Sequence, residues 1–111
     1  MLLYTREAER LRETLRDVLG WDSVDGHDPP DGWLIFKLPP AEVAVHPAPA
    51  SAHELYFMCD DLDGELRALR EKGVAVSAVE EARWGSIAKL TLPGGGEVGL
   101  YQPSHPTALD L

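Results

Sequence analysis

Three residues that can bind a metal or move a proton lie close together in this sequence: His46, His53 and Glu54. The chain contains no H-E-x-x-H, C-x-x-C, G-x-S-x-G or phosphate-loop motif that would assign them a known chemistry. Cys59 is the single cysteine, which excludes an intramolecular disulfide framework and a cysteine-rich zinc site. A divalent metal could therefore bind only if His46, His53 and Glu54 formed a non-standard site.

Glu54 is the strongest candidate for catalysis. A carboxylate that faces an apolar cavity can act as a general acid or base, or it can anchor a ligand cation. Tyr56 and Tyr101 can flank a flat or cationic ligand, because aromatic faces attract cations. The alternatives remain open: Glu54 can hydrogen-bond a neighbouring strand at an open rim, and the two tyrosines can fill a core with their hydroxyl groups satisfied.

The charge balance limits the possible partners. Ten basic residues face nineteen acidic ones in 111 residues, giving a formal net charge of −9. The electrostatic field of this negative charge repels nucleic acid and favours cationic guests. A surplus of acidic residues can also do no more than keep the protein soluble. No apolar run approaches the roughly 20 residues of a membrane span, and Arg6 and Glu7 come too early for a signal peptide. We therefore expect a soluble, cytoplasmic single domain that binds neither nucleic acid nor membrane.

Two amphipathic helices and several short strands account for most of the chain. The first helix is predicted between Thr5 and Gly20, and the second between Asp61 and Gly73, each with leucines on one stripe and a glycine at its end. Short runs rich in β-branched or aromatic residues, bounded by Pro, Gly or Asp, predict strands at 1–4, 33–38, 42–46, 54–59, 74–79, 86–92 and 97–102. The segment 21–31 can hold a further short strand and a loop.

The two halves of the sequence repeat each other. Leu-Pro followed by Glu-Val occurs at 38–43 and again at 92–98, and the helix-ending glycines Gly20 and Gly73 are offset by a similar distance. Each half thus contains a strand, a helix and about three further strands. The sequence therefore predicts an internal duplication.

This duplicated pattern resembles the vicinal oxygen chelate superfamily, also called the glyoxalase/bleomycin-resistance/dioxygenase family. The resemblance depends on the segments 16–21, 60–62, 66–73 and 92–101. It implies an α+β fold in which two tandem βαβββ modules form a curved mixed sheet around a cavity. The modules would span about residues 1–49 and 50–104 of one domain, followed by a tail over 105–111.

Strand alternation predicts which side chains face that cavity. In the last strand Val98 and Leu100 are expected to face the helix, so Gly99 and Tyr101 would point inward. The same reasoning for the other strands, with the first strand contributing Met1, gives the predicted cavity lining of Leu3, Ala44, His46, Glu54, Tyr56, Met58, Gly99 and Tyr101.

The resemblance also implies where a metal would bind. The four ligand positions of the family fall on Met1, Ala44, Glu54 and Gly99, with His53 in place of Glu54 if the strand shifts by one residue. At most one of these side chains can bind a metal, whereas zinc or iron needs three or four protein donors. We therefore expect no cofactor and no catalytic metal.

Three functions are consistent with the sequence. The leading one is a metal-independent protein that binds a small organic molecule, with a cationic molecule as one option, and acts in resistance by sequestration as a homodimer. The alternative is a divergent enzyme of the family, either a glyoxalase-type lyase or isomerase with Glu54 as base or an extradiol dioxygenase. The third is a structural dimerisation module whose cavity is filled by side chains.

Overall fold

The computed structural model describes residues 3–25, 34–38, 40–109 and 111. The chain forms two compact units, Met1–Pro39 with Leu92–Gly96, and Pro40–Thr91 with Glu97–Leu111. The predictions that concern Met1 and the segment 26–33 lie outside the described residues. Within the described part, no helix combines the length and the apolar character that crossing a bilayer requires.

The first unit contains a helix and a two-stranded sheet. Helix α1 spans Ala8–Glu13 and continues as a π-helical turn over Thr14–Val18. Its buried residues Leu11 and Leu15 lie on the predicted apolar stripe, and Gly20 follows with a φ of 73°. Strand β1, Ser23–Asp25, pairs antiparallel with β2, Leu34–Phe36. The predicted helix, its glycine end and these two strands are confirmed.

The second unit is a mixed sheet covered by one helix. Its elements are β3 (Tyr56–Met58), α2 (Leu62–Glu71), β4 (Ala75–Val76), β5 (Glu80–Ala82), β6 (Gly85–Thr91) and β7 (Glu97–Pro103). The strand order is β3-β7-β6-β4, with β5 also paired to β6. Strands β3 and β7 are parallel, and the other pairs are antiparallel. This is the βαβββ order expected from the sequence, with β5 as an additional strand, and it gives the chain its α+β class.

Helix α2 is fixed to the sheet at its first turn. The side chain of Asp61, the predicted cap, accepts a hydrogen bond from the Gly64 N–H at 3.1 Å. The Leu62 N–H donates to Gln102 Oε1 of β7 at 3.0 Å. Two of the amides that a helix start leaves without intrahelical partners are therefore satisfied. The helix ends at Gly73, whose φ of 81° permits the closing turn.

The strands predicted at 1–4 and 42–46 are not present among the described residues. Leu3 and Tyr4 are not in a strand, and the segment 40–55 contains none. Val43 and Val45 alternate with polar and small residues as a strand would, yet their side chains are 92% and 94% exposed. Side-chain alternation predicts a strand only when a neighbouring strand supplies hydrogen bonds and a surface to bury. The described residues give 42–46 no such neighbour, so this prediction is wrong.

Candidate functional site

One face of the second unit's sheet packs against α2, and the opposite face carries the candidate site. The Gln102 side chain reaches the start of α2, so the side chains of Leu100 and Val98, two and four residues earlier on β7, lie on that side. Both are buried. Gly99 and Tyr101 therefore belong to the opposite face, as predicted. We call this opposite face, with the side chains of Tyr56, Trp84, Lys89 and Tyr101, the aromatic face.

Three rings meet on the aromatic face in edge-to-face contacts. Tyr56 lies 5.7 Å from Trp84 and 5.7 Å from Tyr101, and Trp84 lies 5.1 Å from Tyr101, measured between ring centroids. Tyr101 is only 7% exposed, whereas Trp84 is 39% exposed. His105 stacks on Tyr101 with a centroid distance of 6.2 Å. The cluster therefore combines a fixed inner ring with an indole that is open to solvent.

The turn before β6 sets the position of the indole. Ser104 fixes this turn by donating its N–H to the Trp84 carbonyl at 3.0 Å and its hydroxyl to the Arg83 carbonyl at 3.1 Å. Gly85 follows with a φ of 153°, and a Cβ there would lie 2.3 Å from the Gln102 carbonyl oxygen. A side chain at position 85 would thus collide with the backbone of β7. Glycine is therefore required at position 85 for the turn that brings the indole against the two tyrosines.

Gly99 provides the space that Tyr56 occupies. The two residues are register partners on the parallel strands β7 and β3. A Cβ built on Gly99 would lie 2.0 Å from Cδ1 and 2.3 Å from Cε1 of the Tyr56 ring. Real Cβ atoms do not approach this closely, so the ring packs directly over the glycine backbone. The position to which the resemblance assigned a metal-binding carboxylate is thus covered by an aromatic ring.

A hydrogen-bonded chain of three side chains crosses the edge of the aromatic face. The Tyr56 hydroxyl donates to Glu54 Oε2 and accepts from Lys89 Nζ at 3.2 Å. The same ammonium lies 4.5 Å from the centroid of the Tyr56 ring. The hydrogen bond to Glu54, assisted by burial, raises the pKa of Tyr56, while Lys89 opposes this shift. Tyr56 therefore carries its proton at neutral pH and links the carboxylate to the ammonium.

The 40–55 segment and the C-terminal tail also reach the border of the aromatic face. Burial raises the pKa of Tyr101, and the negative charge of Glu42 adds to the effect. Glu42 Oε2 accepts a hydrogen bond from the Ala108 N–H at 2.6 Å. The 40–55 segment and the C-terminal tail are thus joined beside Tyr101, at the border of the aromatic face.

The structure brings together part of the predicted cavity lining. Gly99 and Tyr101 are buried on β7, Tyr56 and Met58 are half-buried on β3, and Glu54 is joined to them through the Tyr56 hydroxyl. Glu54 is itself exposed, so the apolar enclosure expected around its carboxylate is not found.

The remaining predicted lining residues lie elsewhere. Ala44 and His46 are exposed on the segment without a strand, which removes the alternation that was used to point them inward. Leu3 belongs to the first unit and Met1 lies outside the described residues. Of the predicted lining residues, the structure therefore groups together those on β3 and β7 and Glu54, which precedes β3.

The described donors do not fit a metal ion. His46, His53 and Glu54 do not form a group that could hold one, and no other cluster of three or more His, Cys, Asp or Glu residues occurs in the described ranges. Ala44 and Gly99 have no donor atoms in their side chains, and the Glu54 carboxylate accepts a hydrogen bond from the Tyr56 hydroxyl. We therefore derive no chemical step through a metal.

Lys89, Trp84 and His105 were missing from the predicted site. The register of the β6–β7 hairpin could have identified Lys89, because the Leu92 N–H donates to the Gly96 carbonyl across the glycine turn at 2.7 Å. Counting outward from that pair places Lys89 opposite Gly99 and Ile87 opposite Tyr101. Trp84 precedes the strand and could be placed only at the edge of the cavity, while the tail gave no signal for His105.

Neither the protein-family models nor the curated proteins contain a match to this chain. Solved structures do match. TnmS3, an antibiotic-binding protein from Streptomyces sp. CB03234, is 28% identical with a TM-score of 0.70, over 92% of this chain and 91% of that one. A glyoxalase/bleomycin resistance protein from the same organism is 27% identical with a TM-score of 0.64, over 90% and 95%. The chain has the fold of the vicinal oxygen chelate superfamily.

Other superfamily structures match at lower identity. Lactoylglutathione lyase from Agrobacterium tumefaciens has a TM-score of 0.63 at 18% identity, covering 90% of this chain and 88% of that one. At this identity the likeness concerns the fold alone. Because the superfamily includes both binding proteins and enzymes on one fold, the residues of the site must decide between them.

Proposed function

We propose that this protein binds a small organic molecule on its aromatic face and sequesters the molecule without transforming it. The observation that carries the proposal is the packing of Tyr56 over Gly99, next to the exposed indole of Trp84. Aromatic side chains that are fixed by packing bind flat guests at a low cost in conformational entropy. The face therefore offers a preformed apolar surface with polar groups at its edge.

The similarity to an antibiotic-binding protein supports this proposal. TnmS3 is 28% identical over nine-tenths of both chains, which is closer than the similarity to the lyase. Resistance by sequestration needs affinity for the guest and no reaction. A site built from rings, in which the described residues offer no set of metal donors, meets that requirement.

Several sequence-based expectations remain predictions within this proposal. They are the absence of a cofactor, assembly as a homodimer and a cytoplasmic location. The cationic character of the guest, which the overall charge suggests, is a further prediction of this kind.

A second candidate is a metal-free acid–base enzyme. The hydrogen bond from Tyr56 to Glu54 favours it, because a tyrosine hydroxyl and a carboxylate joined in this way can pass a proton to or from a substrate. On this alternative, Glu54→Gln abolishes turnover while binding persists. On the sequestration proposal, the guest is recovered chemically unchanged.

Thermal shift and calorimetry with a panel of aromatic and cationic glycopeptide antibiotics test the proposed function. Trp84→Ala removes the exposed ring, and we expect it to weaken binding of any stabilising panel member by about tenfold, the value of one aromatic contact. Tyr4→Ala is the matched control, since Tyr4 is 89% exposed and lies outside the second unit. If no panel member bound, or if both variants lost affinity equally, the proposal would be rejected.

Metal content and the recovered guest provide the second measurement. We expect the purified chain to bind its guest equally well before and after dialysis against chelator. Mass spectrometry should recover the guest unaltered after prolonged incubation. Binding that requires a divalent ion, or a guest of changed mass, would move the assignment to an enzyme.

A further inference from the structure

Lys89 places a positive charge at the edge of the aromatic face. We infer that the guest is an aromatic molecule with an anionic or strongly accepting oxygen group, such as a carboxylate or a phenolate, which Lys89 binds while the ring lies on the aromatic face. This inference rests on the proposed function and specifies the chemistry of the guest. It also reverses the cationic preference that the overall charge suggested.

The surroundings of Lys89 leave its ammonium group available. Its Nζ donates to the Tyr56 hydroxyl at 3.2 Å, and no carboxylate of the described residues lies within ion-pair distance of it. An ammonium has three donors, so further donors remain for a guest. The Tyr56 proton is directed at Glu54, which leaves the oxygen lone pairs of Tyr56 for Lys89. Tyr56 thereby holds the ammonium in place, and the Glu54 carboxylate, on the far side of the Tyr56 hydroxyl, forms no direct ion pair with it.

The same geometry disfavours a cationic guest. A cation is attracted to the face of an aromatic ring within about 6 Å of its centroid. Lys89 Nζ already occupies such a position over Tyr56, at 4.5 Å. A second cation at this ring would be repelled by the ammonium of Lys89, a half-buried residue, in a region where the effective dielectric constant is below that of water. The attraction that a cationic guest would gain from Tyr56 is thus taken by the protein itself.

Lys89 is also positioned for a guest that lies on the rings. Ile87 and Lys89 are on the same side of β6, about 7 Å apart along the strand. Ile87 is paired with Tyr101 and Lys89 with Gly99. A flat guest over Ile87 and beside Trp84 would therefore direct a substituent at one end toward the Lys89 ammonium. A charge-assisted hydrogen bond at that end would fix the orientation of the guest.

Matched naphthalene probes test this inference on the full chain. The probes are 2-naphthoate, 2-naphthylmethanol and 2-naphthylmethylammonium, which share one ring system and differ in the charge of the substituent. We expect 2-naphthoate to bind about tenfold more tightly than the ammonium probe, which corresponds to one charge-assisted contact. Titration calorimetry or NMR measures the three affinities.

Three variants at two lysines separate the local contact from the net charge. Lys89→Gln should abolish the preference for 2-naphthoate, and Lys89→Arg, which keeps the charge, should retain most of it. Lys72→Gln, at the end of α2, changes the net charge equally and should leave the preference intact. Thermal unfolding of each variant confirms that it is folded before its affinities are compared.

The outcomes distinguish the two proposals. Tighter binding of the ammonium probe, or a preference that Lys89→Gln leaves unchanged, overturns the inference while the aromatic face remains a binding site. Failure of all three probes and of the whole antibiotic panel removes the proposed function and this inference with it. Loss of the preference in Lys72→Gln as well as Lys89→Gln would assign it to net charge and also overturn the inference.

Discussion

Replacing Gly99 with alanine perturbs the packing on which the candidate site depends. The added Cβ would lie 2.0 Å from the Tyr56 ring, so the ring must leave its position or the strands must shift. Gly99 has no positive φ, so alanine is tolerated by the backbone and the effect is steric. If the ring leaves, it loses its edge-to-face contacts with Trp84 and Tyr101, each of which contributes about 0.5–1.5 kcal/mol.

The expected loss of unfolding free energy for Gly99→Ala is therefore about 1–3 kcal/mol, which is also the usual cost of inserting a methyl group into a packed site. A loss of this size lowers the melting temperature by about 4 °C or more per kcal/mol in a domain of this length. Urea unfolding followed by circular dichroism measures the free energy, and the midpoint at constant slope gives the difference.

A double-mutant cycle with Tyr56→Ala isolates the contact. In the Tyr56→Ala background there is no ring for the new Cβ to meet, so we expect Gly99→Ala to have almost no effect on stability there. Gly96→Ala is the matched control, because no atom lies within 4 Å of a Cβ at Gly96. A Gly99→Ala variant as stable as the parent chain, or one equally destabilised in both backgrounds, would refute the packing of Tyr56 over Gly99.

Three further predictions concern the framework of the second unit. Leu66→Ala removes a side chain that is 1% exposed, and we expect a loss of about 2–5 kcal/mol in chemical denaturation. Asp61→Ala removes the cap of α2 and should cost about 1 kcal/mol in the same assay. Burial raises the pKa of the Cys59 thiol to about 11 from 9.0, so at pH 8 iodoacetamide should alkylate the folded chain about 100-fold more slowly than the urea-unfolded chain.

Each of these predictions has its own control. Leu109→Ala changes an exposed leucine and should cost little, and Asp63→Ala removes a first-turn acid for which no capping hydrogen bond is found. Equal losses in the paired variants would contradict the roles given to Leu66 and Asp61.

For Cys59 the raised pKa favours the folded state below pH 9, and this contribution is lost as pH rises toward about 11. Equal alkylation rates in the folded and unfolded chains would contradict the burial of the thiol.

Local sequence signals predicted the helices and the faces of the last strand correctly. The leucine stripe of α2, the cap at Asp61 and the positive-φ glycines Gly20 and Gly73 all depend on neighbours within a few residues. Such interactions are encoded in the order of the residues and do not require knowledge of the fold. The alternation that placed Tyr101 opposite Leu100 is local in the same sense.

The errors concern contacts between distant residues. The alternation at Val43 and Val45 is that of a strand, but a strand also needs a neighbouring strand to pair with. Among the described residues no strand pairs with this segment, and the sequence alone does not reveal this. Lys89 appears in the sequence as the one charged residue of β6, and only the register across the hairpin brings it to Tyr56. The predicted apolar surroundings of Glu54 failed for the same reason, because burial depends on what lies across the sheet.

An NMR titration of the metal-free chain with the panel antibiotic that stabilises it most is the most direct test of guest binding on the aromatic face. We expect the largest shift changes at the Trp84 indole N–H and at the amides of Tyr56 and Lys89, with no dependence on added divalent ions. Shift changes confined to the first unit, or appearing only after a metal is added, would contradict a guest site formed by these rings.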